Sequence, residues 1–99
     1  MSLDEPKLLA KTYRVCGRVQ GVGFRWFVER EAQTLGIAGW VRNRSDGTVE
    51  VLAQGSREQL FALRSKLQQG PRASRVDDVE EVESQVQHDM RSFRIEGAW

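Results

Sequence analysis

Three glycines fall within seven residues in the stretch Gly17-Arg18-Val19-Gln20-Gly21-Val22-Gly23-Phe24-Arg25, and the apolar periodicity of a helix begins at its end. Glycine permits positive φ angles and close backbone approach, so the stretch turns the chain sharply between two regular elements. Successive N–H groups can then point into one concavity, and the helix that follows adds its own unpaired donors and the positive end of its dipole. The stretch has the character of an anion cradle. Arg25 stands at the junction with a permanent, forked charge that matches two phosphate oxygens better than a lysine would.

The flanking sequence supplies the elements. Residues 8–17 favour a strand through Thr12, Tyr13, Val15 and Cys16, with Tyr13 and Val15 on one face and Lys11 interrupting the alternation. After the cradle, Phe24, Phe27, Val28, Ala32 and Leu35 recur at spacings of three and four, and Gly36 is a fitting stop. Glu31 intrudes on that stripe, and Trp26 points to its far side. Residues 38–44 and 48–54 flank Ser45-Asp46-Gly47, whose Asp-Gly pair suits a tight antiparallel hairpin. Ser56 and Gln59 form a capping box, Leu60, Leu63 and Leu67 make a buried stripe, and Gly70-Pro71 ends a second helix. Val76, Val79, Val82 and Val86 recur at helix-like intervals, but β-branched residues among acidic neighbours favour a strand carrying a bulge. A short last strand over residues 92–95 turns Phe93 and Ile95 inward. The order predicts an α+β split βαβ (βαββαβ) sandwich: an antiparallel sheet of four to five strands with both helices on one face.

With 99 residues the chain has room for one core. The expected division is a disordered tail over residues 1–6 and a single domain over 7–99. Charged residues make up 29% and the net charge is +1, which argues against disorder and against a global nucleic-acid-binding field. Arginines and lysines crowd the first half and carboxylates the end, so a local basic site for a small anion is expected. A lone Cys16 makes no internal disulfide and cannot by itself hold zinc, which points to a reducing compartment, the cytoplasm. No apolar run has membrane-spanning length and residues 1–6 lack the basic start of a signal peptide, so no membrane partner is expected.

The cradle stretch together with Gly39-Trp40-Val41-Arg42-Asn43-Arg44-Ser45-Asp46-Gly47-Thr48-Val49 resembles the two signatures of the acylphosphatases, in their order and over nearly the whole chain. The resemblance implies a ferredoxin-like fold and hydrolysis of the carboxyl–phosphate mixed anhydride without metal or organic cofactor. It implies that Arg25 binds phosphate, that the amides of Arg18, Val19, Gln20, Gly21, Val22, Gly23 and Phe24 wrap it, and that Asn43 orients the attacking water. An acyl phosphate has a good carboxylate leaving group, so placing water in line and stabilising phosphoryl charge is most of what catalysis needs. No general base is evident: Glu29 and Glu31 lie on later turns, and a substrate oxygen can take the proton. The expected partners are an acyl phosphate substrate and inorganic phosphate product, met by a monomer.

Blander readings attach to the other residues. Arg18, Arg42 and Arg44 read as solvated strand charges that also attract an anion. Trp26 reads as a surface residue rather than an acyl contact, Trp40 as packing, His88 as a surface residue and Cys16 as a small strand residue. The acidic run over residues 77–83 reads as a solvated strand face, not a calcium site. Two rival functions remain: a binding module that keeps the cradle without useful turnover, as acylphosphatase-like domains of larger proteins do in handling carbamoyl phosphate, and an RNA-binding domain of the same plan. The free-standing length weighs against the first. Against the second stand the near-neutral charge and the absence of an aromatic in residues 48–54.

Overall fold

The computed structural model describes residues 7–97. The tail expected over residues 1–6 lies outside them. The elements run β1 (Leu9–Arg18), α1 (Phe24–Leu35), β2 (Ala38–Asn43), β3 (Val49–Gly55), α2 (Arg57–Gln69), β4 (Arg75–Ser84) and β5 (Phe93–Ile95). The sheet order is β4-β1-β3-β2-β5. β1 and β2 flank β3 on either side, so the first βαβ unit is split by the third strand, as the sequence predicts.

Both helices cover the face onto which Tyr13, Val15, Val41, Val49, Val51 and Ala53 project, and Val28, Leu63 and Leu67 fill the same core. Each buried valine or leucine among them contributes roughly 1.5–3 kcal/mol relative to exposure. In register, Val41, Val51 and Tyr13 form one row across the sheet. The next row is Asn43, Val49, Val15 and Val79. Alternation therefore puts Asn43 on the helix face, the polar member of a valine row.

Each helix ends as its sequence predicts. Gly36 adopts the left-handed conformation after α1, and Ile37 N–H reaches back to Ala32 O at 2.9 Å. Ser56 and Gln59 complete their capping box, and Gln59 Nε2 also donates to Leu35 O at 2.7 Å, so one side chain caps α2 and ties it to the end of α1.

Three local readings are corrected. The hairpin loop is longer than Ser45-Asp46-Gly47: residues 44–48 form it, closed by Arg44 N–H to Thr48 O (2.9 Å) and Gly47 N–H to Arg44 O (3.2 Å). Gly47 alone in it takes a positive φ, of 91°, while the Asp46 carboxylate accepts from the Thr48 amide and hydroxyl at 3.0 and 2.6 Å. The sheet is mixed, because β5 pairs parallel with β2. From β4 at one edge, the chain passes over the open face to the other edge, and Gln54 clamps it by donating to Gln87 O (2.9 Å) and accepting from Gln87 N–H (2.7 Å). Entering beside Gly39, it can only run the same way as β2. Third, the acidic run is not simply solvated: Glu81 accepts from Lys11 at 2.8 Å and Arg64 at 2.7 Å.

β4 carries the bulge that the sequence suggests. Pairing passes from Cys16 with Asp78 to Gly17 with Val76, leaving Asp77 out of the ladder. One extra residue lets Val76 and Val79, three apart, both pack on the core, which is why their interval looks helical. Gly17 faces the bulge, where a Cβ would stand 2.1 Å from Arg75 O.

Tyr13 makes this core sensitive to alkali. Burial, seconded by the Glu81 charge and opposed by Arg64, pushes its hydroxyl up from 10.0 to about 12. A raised folded value stabilises fully below the unfolded one and is lost as pH climbs through the folded one. Denaturant titrations should therefore show the stability of wild type relative to Tyr13→Phe falling by on the order of 2 kcal/mol between pH 10 and 12. A difference that stays constant across that window would contradict the burial argument.

Candidate active site

β1 ends at Arg18 and α1 starts at Phe24, so residues 19–23 make the connection. Val19 is buried and Val22 packs against the core, which seats the loop, while Gly21 and Gly23 face solvent. Those glycines take φ of 74° and 77°, and a Cβ on either would meet nothing within 4 Å. Conformation, not crowding, selects glycine here.

α1 has Gly23 as its N-cap, with no side-chain cap and no acidic residue in its first turn. Its first helical bond runs from Phe27 N–H to Gly23 O at 3.1 Å. Earlier amides of the turn have no acceptor within the helix and point along its axis, towards the loop. Arg25 lies in that turn, half-buried, and its Nη1 donates to Glu96 O at 3.4 Å. At that length the contact steers the guanidinium rather than locking it.

Asn43 ends β2 at the same end of the sheet, half-buried, with its Oδ1 enclosed. Two links join the pieces. Glu96 N–H donates to Val41 O at 2.8 Å, which sets the Arg25 contact beside β2. On the other side Gln20 Nε2 donates to Arg44 O at 2.8 Å and Thr48 O at 2.9 Å, joining the cradle to the hairpin that follows Asn43. The Thr48 hydroxyl and amide hold the Asp46 carboxyl below its usual value, so the turn stays anionic and closed.

The expected residues are thus brought to one end of the molecule, with differences in detail. Val19 and Phe24 have buried side chains and can serve an anion only through their amides. Arg18 is exposed at the end of β1. Arg42 and Arg44 both pair with Glu50, at 2.8 and 3.0 Å, so one of their two positive charges is offset. Arg42 also lies over Trp40, 4.7 Å from the ring centre. Trp26 is 74% exposed beside Arg25, and His88 is exposed. A groove of about 770 Å³ between Tyr13, Arg57, Phe61 and Arg64 lies towards the other end of β1 and includes no cradle residue. Among the described residues no three His, Cys, Asp or Glu side chains converge on a metal-sized site. Sequence reasoning missed the Gln20 side chain and the Glu96 main chain. The first was hidden behind the use of its backbone amide, and the second carries no sequence signal, because a main-chain carbonyl has no residue identity.

Chemically, the arrangement can bind a tetrahedral oxyanion against loop amides and a guanidinium, with a neutral amide side chain nearby to hold a water. The family described as Acylphosphatase matches residues 11–95. An acylphosphatase of Koribacter versatilis is 61% identical over 89 residues, covering 90% of this chain and 81% of that protein. The crystal structure of acylphosphatase from Bacillus subtilis is 42% identical with a TM-score of 0.86, covering 90% of this chain and 99% of that one. Full-length HypF in its phosphate- and nucleotide-bound form also superposes, at 29% identity and a TM-score of 0.86, covering 97% of this chain but 13% of that one.

The two left-handed glycines give a direct test of the cradle. An alanine in that conformation is strained by roughly 1–2 kcal/mol, although nothing would clash with it. Gly21→Ala and Gly23→Ala should each weaken inorganic phosphate binding about tenfold, read by calorimetry. Unchanged affinity in both would show that these glycines do not shape the site.

Proposed function

The chain belongs to the acylphosphatase family, and from that membership we propose how it hydrolyses acyl phosphates: in-line attack of a water held by Asn43 on a phosphoryl group bound by Arg25 and the amides of residues 18–24. The observation that carries this reading is the start of α1, uncapped, preceded by left-handed glycines and with Arg25 in its first turn.

The phosphoryl oxygens sit among the loop amides, whose dipoles are already oriented before the reaction starts. Arg25 spans two of them. As the water oxygen bonds to phosphorus, the bond to the acyl oxygen breaks and the carboxylate leaves with the electron pair. The water proton passes to a phosphoryl oxygen, so no protein base is required, and the products are carboxylate and inorganic phosphate. Charge spreads over the equatorial oxygens in the transition state, where guanidinium and amides stabilise it most. Asn43, neutral and partly enclosed, contributes orientation rather than proton transfer. The reading needs neither metal nor organic cofactor. It has the domain working as a monomer, since every group it uses comes from one chain, and the free Cys16 suits the reducing cytoplasm.

The likeness to a small part of HypF, a much longer protein solved with phosphate bound, supports a second reading in which the cradle serves as a phosphate-binding module without efficient turnover. Coverage of nearly all of the Bacillus subtilis enzyme favours hydrolysis.

Benzoyl phosphate hydrolysis should proceed in the presence of chelator and be inhibited competitively by inorganic phosphate. Activity that vanishes with chelator and returns with a divalent ion would overturn the metal-independent mechanism; phosphate binding without turnover would favour the binding module. Arg25→Gln should lose about a hundredfold or more in kcat/KM and also weaken phosphate binding. Asn43→Ala should lose about a hundredfold in kcat while phosphate still binds, and near-normal turnover would refute its role.

A further inference from the structure

We infer that the Gln20 side chain is a positioning residue of the hydrolytic site, holding the hairpin that follows Asn43 at a set distance from the phosphate cradle. This rests on Asn43 being the water-orienting group. Gln20 lies in the middle of the cradle, yet its side-chain amide is engaged by the hairpin. Its Nε2 donates both protons, one to Arg44 O at 2.8 Å and one to Thr48 O at 2.9 Å. These carbonyls belong to the first and last residues of the loop after β2.

The hairpin does not need these bonds in order to form. Arg44 O already accepts from Gly47 N–H, and Thr48 O from Arg44 N–H. The Asp46 carboxylate closes the turn again through the Thr48 amide and hydroxyl. A carbonyl has two lone pairs, and Gln20 takes the second on each. What the two bonds add is placement of one loop against another. Arg44 is the residue after Asn43, so its carbonyl is one peptide unit from the asparagine. In-line attack requires the reacting atoms to be roughly 3–3.5 Å apart, and a displacement of about 1 Å costs on the order of a hundredfold.

The chemistry also explains the residue type. Two carbonyls need two donors from one compact group. A glutamate would present only acceptors, and a lysine would place a mobile charge beside the phosphate.

The test is a double-mutant cycle with benzoyl phosphate as substrate and inorganic phosphate as inhibitor. Gln20→Met keeps the length and removes the donors. It should lower kcat about tenfold to a hundredfold while the inhibition constant for phosphate stays within about twofold. In an Asn43→Ala background the same substitution should lower kcat no further. The inference is overturned if kcat of Gln20→Met stays within about twofold of wild type, if its loss adds in full to that of Asn43→Ala, or if phosphate binding weakens in step with kcat. Circular dichroism checks the fold, and Gln20→Ala replaces the methionine variant if that one unfolds. The two readings fail separately. Turnover retained in Asn43→Ala removes the premise and the inference with it, whereas turnover lost in Asn43→Ala but kept in Gln20→Met removes the inference alone.

Discussion

A helix that begins without a cap leaves backbone N–H groups aimed along its axis with nothing in the helix to accept them, and α1 begins in this way. The contrast with α2 is internal to the molecule. α2 has a complete capping box and Glu58 in its first turn, the arrangement that satisfies those donors and suits the dipole. A comparable cap on α1 would add about 1 kcal/mol of stability, but its oxygen would occupy the place proposed for the anion. The chain caps the helix that serves only the fold and leaves open the one that faces the cradle. Because Gly21 and Gly23 are exposed, water or a bound anion can satisfy the open donors, and the burial penalty of about 1–3 kcal/mol per orphan group is avoided.

Most of the fold was legible because it is written in periodicity and punctuation. Phe24, Val28 and Ala32 announce α1, Leu60, Leu63 and Leu67 announce α2, and Gly36 and Gly70 close them. The bulge in β4 could be read from valines whose spacing fits neither a flat strand nor an acidic helix. The direction of β5 could not, since three residues alternate identically in either direction. Direction is set by the crossing of residues 85–92, which depends on a glutamine gripping a distant backbone. In the site, glycine and arginine carry local signals that a sequence displays. The Gln20 amide and the Glu96 carbonyl act across 24 or more positions and leave no local trace.

The acidic end of the sequence has a related role. Glu50 takes Arg42 and Arg44, Glu80 takes Arg14, Glu81 takes Lys11 and Arg64, and Asp77 takes Arg75. The exposed ones, Arg14 with Glu80 and Arg75 with Asp77, contribute little to stability. The effect of the whole set is on the field: four carboxylates offset four of the six positive charges they meet, which lowers the positive potential over the sheet and helix surfaces.

On the C-terminal side the site is closed by main chain alone. Glu96 gives its N–H to Val41 and receives Arg25 on its carbonyl, while its carboxylate is engaged by Arg94. Those two backbone bonds do not depend on the residue at 96, apart from proline, which would lose the N–H. What they do require is that β5 arrive beside β2 in the right register. That register is reached only after the chain has crossed the open face under the grip of Gln54. A polar clamp on one face of the sheet therefore helps to aim a guanidinium on the other, through a strand of three residues. It follows that β5 serves the guanidinium as well as the sheet: with only three ladder positions to hold it, loosening of the crossing would disturb both Phe93 in the core and the Glu96 carbonyl that meets Arg25.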